Sequence, residues 1–438
     1  MYLLSKKEVV MENKLYELGA ADLYSVAMSE TQIEQNPAIL IRMREEINIE
    51  GLEKALKKII PSFPIFASTL AYRDGRYSLF ESEGDMPIIN SEISARPAFL
   101  GKSSGGYLFR ICIDGCELLL EWSNILTDEY GGMTFLLALI CRYLGEKAHL
   151  PYMKSAEVFL EDLTRESKKT NAAGANNDVS DKKVKKKKSD YSKIGGALIP
   201  TKKNPDGALV HILRIPAKAL CETAGRKGAS AESVLIPIFS NVLFRRKREQ
   251  DNGVTADLTI NCRTDELDSM HNFTVVKTLT YSAPLGKTDV KRASKLYEQM
   301  LDSTSDRESI RAEAERTIDA VSELTSMRPR FLRDLASLAV SKAVRAQRSN
   351  FSFLNFGTLP LAPTAISQIE SITPLLVPAS ADAAVAVLRL GKDYIVSISE
   401  NYVDEKIITD FVGILARLGL TSEEESQLKF RQSRIKLK

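Results

Sequence analysis

Histidine is scarce in this chain, with 3 among 438 residues. His149 reads as a loop residue, His211 as lying on a strand and His271 as sitting in a turn, each an ordinary structural or surface residue without a partner at motif spacing. The five cysteines (Cys112, Cys116, Cys141, Cys221, Cys262) are an odd number scattered through apolar segments. None of their spacings is that of a zinc site or a disulfide framework, so they read as reduced core residues. No metal-ligand cluster, phosphate loop or nucleophile elbow occurs anywhere, so no bound metal is expected. Long apolar runs are missing too. Stretches such as Phe135 to Cys141 fall far short of the roughly 20 residues of a spanning helix, and the N-terminus lacks a signal-peptide core and cleavage site. No membrane span and a cytoplasmic location are therefore expected. The first ten residues do not fit the pattern that begins at Met11 and read as a tail or a start-site artefact.

The chain is too long for one compact core and suggests two domains. Its net charge of +3 is unevenly spread, because residues 165–203 alone carry a net +8 and leave the rest at −5. That segment joins Asn171-Ala172-Ala173-Gly174-Ala175-Asn176-Asn177 to the lysine run Lys182 to Lys188. It holds almost no apolar residue able to offset the entropy of ordering. No aromatic interleaving accompanies the lysines, so a solvated linker is expected rather than a nucleic-acid site. The expected division is a first subdomain over 12–164, a basic flexible linker over 165–203, a second subdomain over 204–420 and a basic tail over 421–438.

Each flank has its own strand and helix pattern. Ala38 to Glu46 has strand character, and Leu52, Ala55, Leu56, Ile59 and Ile60 recur at helical spacing until Pro61. Asp74-Gly75 and Asp114-Gly115 each join two strand-like runs, the signal of a two-residue hairpin. Met133, Leu136, Leu137, Ile140 and Leu144 form a helical stripe that Gly145 can end. In the second half, Leu209 to Ile215 reads as a strand and Ala217 to Gly225 as a helix. Ser230 caps a longer helix through Val234, Leu235, Ile238, Val242 and Leu243. A strand over Val254 to Ile260 runs into Cys262-Arg263, and helices follow from about Asp289 to Ala346. Strands over Phe351 to Phe356, Ala383 to Leu390 and Tyr394 to Glu400 precede a closing helix, Asp404 to Leu418.

The most informative stretch is Ser123-Asn124-Ile125-Leu126-Thr127-Asp128-Glu129-Tyr130-Gly131-Gly132-Met133, at the junction between the apolar run ending in Trp122 and the helical stripe. It resembles the His-x-x-x-Asp-Gly motif of the CoA-dependent acyltransferase superfamily and is most similar to the alcohol acetyltransferase branch, a relative of peptide-synthetase condensation domains. The motif is degenerate here. Asn124 stands at the histidine position, Asp128 is kept, and Glu129 replaces the glycine, while Tyr130, Gly131 and Gly132 fit again. Three further segments carry the resemblance in the right order: Tyr16 to Asp22 with Pro64-Ile65-Phe66, then Ile260-Asn261-Cys262-Arg263 with His271-Asn272-Phe273, then Asn355-Phe356-Gly357-Thr358-Leu359-Pro360. It spans about Tyr16 to Leu420. The fold it implies is α/β, with two chloramphenicol-acetyltransferase-like subdomains meeting at a V-shaped cleft.

In the resembling enzymes the motif histidine takes a proton from an alcohol or amine as that acceptor attacks the thioester carbonyl. A carboxamide cannot take that proton, although it can donate a hydrogen bond to an oxyanion or hold the acceptor. The resemblance makes Asp128 chiefly structural, with Arg263 as its candidate partner. It places Asn124 and Asp128 at the catalytic positions, and Ser123, Glu129, Tyr130, Gly131 and Asn355 along the cleft. Glu129 admits two readings. Turned into a low-dielectric cleft it could act as a replacement base; pointed toward solvent it would only favour the helix N-terminus. Three functions stay open: an acyltransferase using acyl-CoA or a carrier-protein thioester with an alcohol or amine acceptor, an inactive binding or scaffold protein keeping the cleft, and an interaction protein working through the lysine run. The acyl-CoA would be a co-substrate, and no permanently bound cofactor is expected.

Overall fold

The computed structural model describes residues 14–30, 36–73, 76–82, 84–93, 99–101, 104–145, 159, 162–163, 208–246, 253–264, 269–281, 290–325, 349–376, 381–400, 405–420, 424–430 and 434–435. The expected linker, the expected helix beyond Thr325 and His149 lie outside them. In the first half the elements are β1 (Lys14–Glu17), α1 (Ala20–Glu30), β2 (Ala38–Met43), α2 (Ile49–Ile59), β3 (Ser68–Arg73), β4 (Arg76–Glu81), β5 (Ile88–Asn90), β6 (Phe99–Leu100), β7 (Phe109–Asp114), β8 (Glu117–Trp122) and α3 (Glu129–Tyr143). The second half holds β9 (Ala208–Pro216), α4 (Ala217–Ala224), α5 (Ala231–Arg246), β10 (Val254–Asn261), β11 (Thr274–Tyr281), α6 (Val290–Thr304), α7 (Arg307–Thr325) and β12 (Ser349–Thr358). It continues through α8 (Pro363–Gln368), β13 (Ile369–Leu375), β14 (Ala381–Leu390), β15 (Asp393–Glu400), α9 (Glu405–Arg417), β16 (Glu424–Phe430) and β17 (Arg434–Ile435).

Among the described residues the two larger sheets run in the orders β13-β2-β8-β7-β5 and β11-β10-β12-β14-β15-β9-β16, and two smaller ones are β1-β4-β3 and β17-β6. In the first sheet the tight β7–β8 hairpin turns at Gly115-Cys116, one residue later than Asp114-Gly115, because Asp114 is already paired with Glu117 and Gly115 takes φ +58. Asparagine 48 caps α2 through Gly51 N, and Leu52, Ala55, Leu56 and Ile59 form its buried face. Helix α3 is buried far more widely than a single stripe, since Phe135 and every residue from Leu136 to Cys141 are covered. A helix apolar on nearly all sides belongs inside the core. Its Phe135 ring stacks on Phe66 at 3.8 Å and meets Phe63 and Phe109 edge-on. In the second sheet, Phe351 and Phe353 on β12 join a core with Phe239 of α5 and Phe411 of α9.

The halves are interleaved rather than divided cleanly by chain order. Strand β13, from the second half, pairs antiparallel with β2 and completes the first sheet, with Ile372 opposite Ile41. Nor is the C-terminal segment a tail: β16 pairs with β9 and β17 pairs with β6. The open backbone of β9 needs partners for its N–H and C=O groups, and a charged, lysine-bearing strand such as β16 can serve as a protected sheet edge. Its acidic and basic residues hid it from a hydrophobicity pattern. Among the described residues no helix is long and apolar enough to cross a membrane.

Candidate active site

The motif sits where β8 passes into α3, and each residue of the junction has a physical reason. Trp122 is fully buried and its indole N–H donates to the Thr127 carbonyl at 3.3 Å. Ser123, placed in the cleft by the resemblance, is instead fully buried; its hydroxyl accepts from Ile125 N at 3.1 Å and shapes the turn. Gly131 and Gly132 are required by close packing: a Cβ at the first would collide with the Thr127 side chain, and at the second with the Trp122 indole. Gly131 therefore lets the helix start against the junction rather than offering a surface to a ligand.

Asp128 is the N-cap of α3 and is committed to structure through both carboxylate oxygens. One oxygen, Oδ1, accepts from Gly131 N at 3.0 Å and lies 2.9 Å from Arg263 Nη2; the other, Oδ2, accepts from Phe273 N at 2.7 Å. Both side chains of the Asp128–Arg263 pair are 2% exposed. Arg263 is itself held by Asn261 Oδ1 at 3.1 Å and by the carbonyls of Ser269 and His271 at 2.7 and 2.8 Å. The Asn-x-Arg and His-Asn-Phe segments thus form one dock for the motif. Asn272 reinforces it, its side-chain amide donating to the Asn124 carbonyl at 2.5 Å and to Asp22 Oδ1 at 3.0 Å.

Asp22 is a site residue that the sequence patterns missed. From the first turn of α1 its buried carboxylate accepts from Gly19 N at 3.0 Å and lies 2.9 Å from His271 Nδ1, with the imidazole against the Tyr16 and Phe159 rings. The acidic residue three positions after Gly19, in the capping-box spacing, was the available signal. His271 and His211 are both 1% exposed, as structural residues would be.

Asn124 is half-buried, and its side-chain Oδ1 is buried without a hydrogen-bond partner. Glu129, at the first position of α3, has its carboxyl pushed from the usual 4.5 to about 7, by burial first and then by the Asp128 charge. Its own backbone N–H and Arg263 pull the other way. Tyr130 reaches across to the second half: its hydroxyl donates to the Asn355 carbonyl at 2.9 Å, and its ring lies 5.6 Å from that of Phe356. Burial and the nearby Glu232 carboxylate raise the Tyr130 phenol well above its ordinary range, so it acts as a neutral donor. Asn355 is half-buried, its Nδ2 donating to Glu232 Oε1 at 2.5 Å and its Oδ1 accepting from Gly357 N at 2.8 Å. Glu232, in the first turn of α5, also escaped the sequence patterns, in which Ser230 served only as a cap. Ser230 does fill that role, accepting from Ser233 N at 3.2 Å.

Asn355 lines a cavity of about 470 Å³, together with Lys218, Cys221, Ser230, Arg389 and Tyr394. No group of three or more His, Cys, Asp or Glu among the described residues is arranged to hold a metal.

No protein-family model matches the sequence, and no curated protein matches it. Solved structures match over nearly the whole chain. Polyketide synthase associated protein 5 from Mycobacterium tuberculosis superposes with a TM-score of 0.62 at 12% identity, over 93% of this chain and 98% of that one. The starter condensation domain of rhizomide synthetase, as a double mutant in complex with C8-CoA and Leu-SNAC, gives a TM-score of 0.60 at 13% identity, over 96% and 98%. Trichothecene 15-O-acetyltransferase from Fusarium sporotrichioides gives 0.58 at 12% identity, over 93% and 94%. At such identities the likeness speaks to architecture, and in architecture this chain has the chloramphenicol-acetyltransferase-like α/β fold that condensation domains and CoA-dependent acyltransferases share.

Proposed function

We propose that the protein transfers an acyl group from a thioester, either acyl-CoA or a carrier-protein thioester, to an alcohol or amine, and that Glu129 is the base in place of the missing histidine. The observation that carries this reading is the near-neutral Glu129 carboxyl at the motif junction. A general base works best with a pKa near the working pH, and this is a titratable group that the degenerate motif adds. In this scheme Glu129 takes the acceptor's proton as the new bond forms, and Tyr130 and Asn355 hold the two halves together around the acceptor. Asn124 supplies an amide that can orient the acceptor or donate to the oxyanion. The cavity bearing Lys218 and Arg389 is the natural entry for the donor, because two cations suit the phosphates of CoA or of a carrier's pantetheine arm.

A second reading, a non-catalytic binding protein, is favoured by Asn124 itself, whose buried and unpartnered Oδ1 suits a ligand donor more than proton transfer. Release of CoA from acetyl-CoA with a panel of alcohols and amines separates the two. Transfer through Glu129 requires brisk wild-type turnover, abolished in Glu129→Gln, with a rate that falls as pH drops below about 7. Weak wild-type turnover that rises roughly 10²–10⁴-fold in Asn124→His instead supports the binding reading, with a site that has lost its base. Robust turnover that survives Glu129→Gln overturns the assignment of the base.

A further inference from the structure

A groove outside the site described above opens where β2 leads into α2, between the end of α3 and the α8–β13 junction. Its volume of about 370 Å³ is in the range of small-molecule sites. The backbone around it is pinned on three sides. Met43 N and Ile47 N donate to the Cys116 and Gly115 carbonyls of the β7–β8 turn at 2.8 and 3.0 Å, and Arg44 N donates to the Gln368 carbonyl at 3.0 Å. The Tyr143 hydroxyl, from the last turn of α3, accepts from Asn48 N at 2.9 Å. A ligand entering the groove therefore meets walls that are already ordered, which favours binding.

The groove holds opposite charges that do not neutralise one another. Arg44, Glu45 and Glu46 all line it and are exposed, so a ligand can reach them. Arg44 uses only Nε within the fold, donating to the Ser367 carbonyl at 3.0 Å. Its two terminal nitrogens, like the carboxylates of Glu45 and Glu46, have no partner among the described residues. A guanidinium with its terminal nitrogens open is matched to a carboxylate, and the Tyr143 hydroxyl still has a proton to donate. The glutamates are matched to an ammonium, and the C-terminal pole of α3, which ends at Leu144 in the groove wall, favours positive charge as well. A simple anion would gain from Arg44 and lose to the glutamates, and a simple cation would do the reverse. A molecule with both charges gains from both.

We propose that this groove binds a zwitterion, an amino acid or short peptide with free ends, its carboxylate on the Arg44 guanidinium and its ammonium on Glu45 or Glu46. The site is independent of the acyl-transfer reading. It lies at the opposite end of α3 from Glu129, roughly 20 Å away along the helix. Because Gln368 joins α8 to β13, an occupant would touch the segment through which the second half completes the first sheet.

Calorimetry without any thioester, using glycyl-leucine, N-acetyl-glycyl-leucine and glycyl-leucinamide, tests the proposal. The second compound lacks the ammonium and the third lacks the carboxylate. Glycyl-leucine should bind saturably and about fivefold or more tighter than either derivative, the scale of one exposed charge pair. Arg44→Gln should bring glycyl-leucine to the level of its amide, and joint Glu45→Gln and Glu46→Gln to the level of the acetylated form. These side chains are exposed, so the variants should keep the wild-type melting temperature. Wild type decides the charge requirement whether or not the variants fold: no binding up to about 10 mM, or a derivative that binds as well as the parent, overturns the proposal. A preference that persists unchanged in both variants overturns it too, because the peptide would then be held elsewhere.

Discussion

Replacing Asp128 by alanine tests the claim that the motif aspartate is structural. The substitution removes three interactions at once: the N-cap to Gly131, the acceptor for Phe273 N and the ion-pair partner of Arg263. Separately, a lost cap costs about 0.5–2 kcal/mol, a buried N–H left without an acceptor about 1–3 kcal/mol, and a broken buried ion pair about 3–5 kcal/mol. All three act through one carboxylate and cannot be summed, so the expected loss is about 3–5 kcal/mol, dominated by the stranded Arg263 charge. Arg263 would keep its bonds to Asn261, Ser269 and His271, which soften but do not remove that charge. Urea unfolding of wild type, Asp128→Ala, Arg263→Leu and the double variant measures this as a cycle. The double variant should be much less destabilised than the two single losses combined, since neither charge is then stranded. A loss below about 1 kcal/mol for Asp128→Ala, or additive single losses, would refute the reasoning.

The remaining predictions concern other parts of the scaffold. Because the folded protein holds the Glu129 carboxyl at about 7 against the usual 4.5, folding favours its protonated form. That contribution is complete below the lower value and is lost as pH rises through the upper one, so Glu129→Gln should gain stability relative to wild type between those limits and level off above them, as thermal unfolding across pH would report. Gly132→Ala puts a Cβ into the Trp122 indole and should destabilise by about 1–3 kcal/mol, with a shifted tryptophan fluorescence; an unchanged melting point would contradict the packing. The cross-strand pair Arg110–Glu121, at 2.6 Å with both side chains 0% exposed, should make Glu121→Ala cost about 3–5 kcal/mol in urea unfolding. From composition we propose that limited proteolysis cuts first within 165–203; protection of the lysine run there would defeat the two-subdomain division.

Much of the architecture was legible because its causes are local. The alternation through Val254 to Ile260, the capping by Ser230 and the helix ends at Gly145 and Gly225, both with positive φ, are short-range signals. Strand β13 was not legible, since Ile369–Leu375 carries Pro374 and becomes a strand only by pairing with β2, far away in sequence. Strand β11 escaped for a similar reason. An apolar residue on its exposed side, Val276 at 49% exposure, and a lysine on its covered side, Lys277, blur the alternation that pairing with β10 imposes. The Arg263 partnership could be expected from the motif resemblance. The parts played by Asp22, Asn272 and Glu232 could not, because each depends on contacts between segments more than 100 residues apart in the chain.

The same geometry separates the part played by Asp128 from that of the side chain at position 124. In this chain Asp128 engages Gly131, Phe273 and Arg263 without help from the Asn124 side chain, whose backbone carbonyl alone joins the dock, through Asn272. The dock at the β8–α3 junction is therefore held independently of the side chain at position 124. Fold likeness is blind to an exchange at that position, since superposition reads backbone and the backbone is held by Asp128. The chemistry has to be read from individual groups within this scaffold, among them the raised Glu129 carboxyl and the unpartnered Asn124 amide oxygen. Comparing Asn124→His with wild type isolates that difference: stability should change by less than about 1 kcal/mol while the pH dependence of acyl transfer changes its shape. A large loss of stability in Asn124→His would mean that the amide helps to support the dock after all.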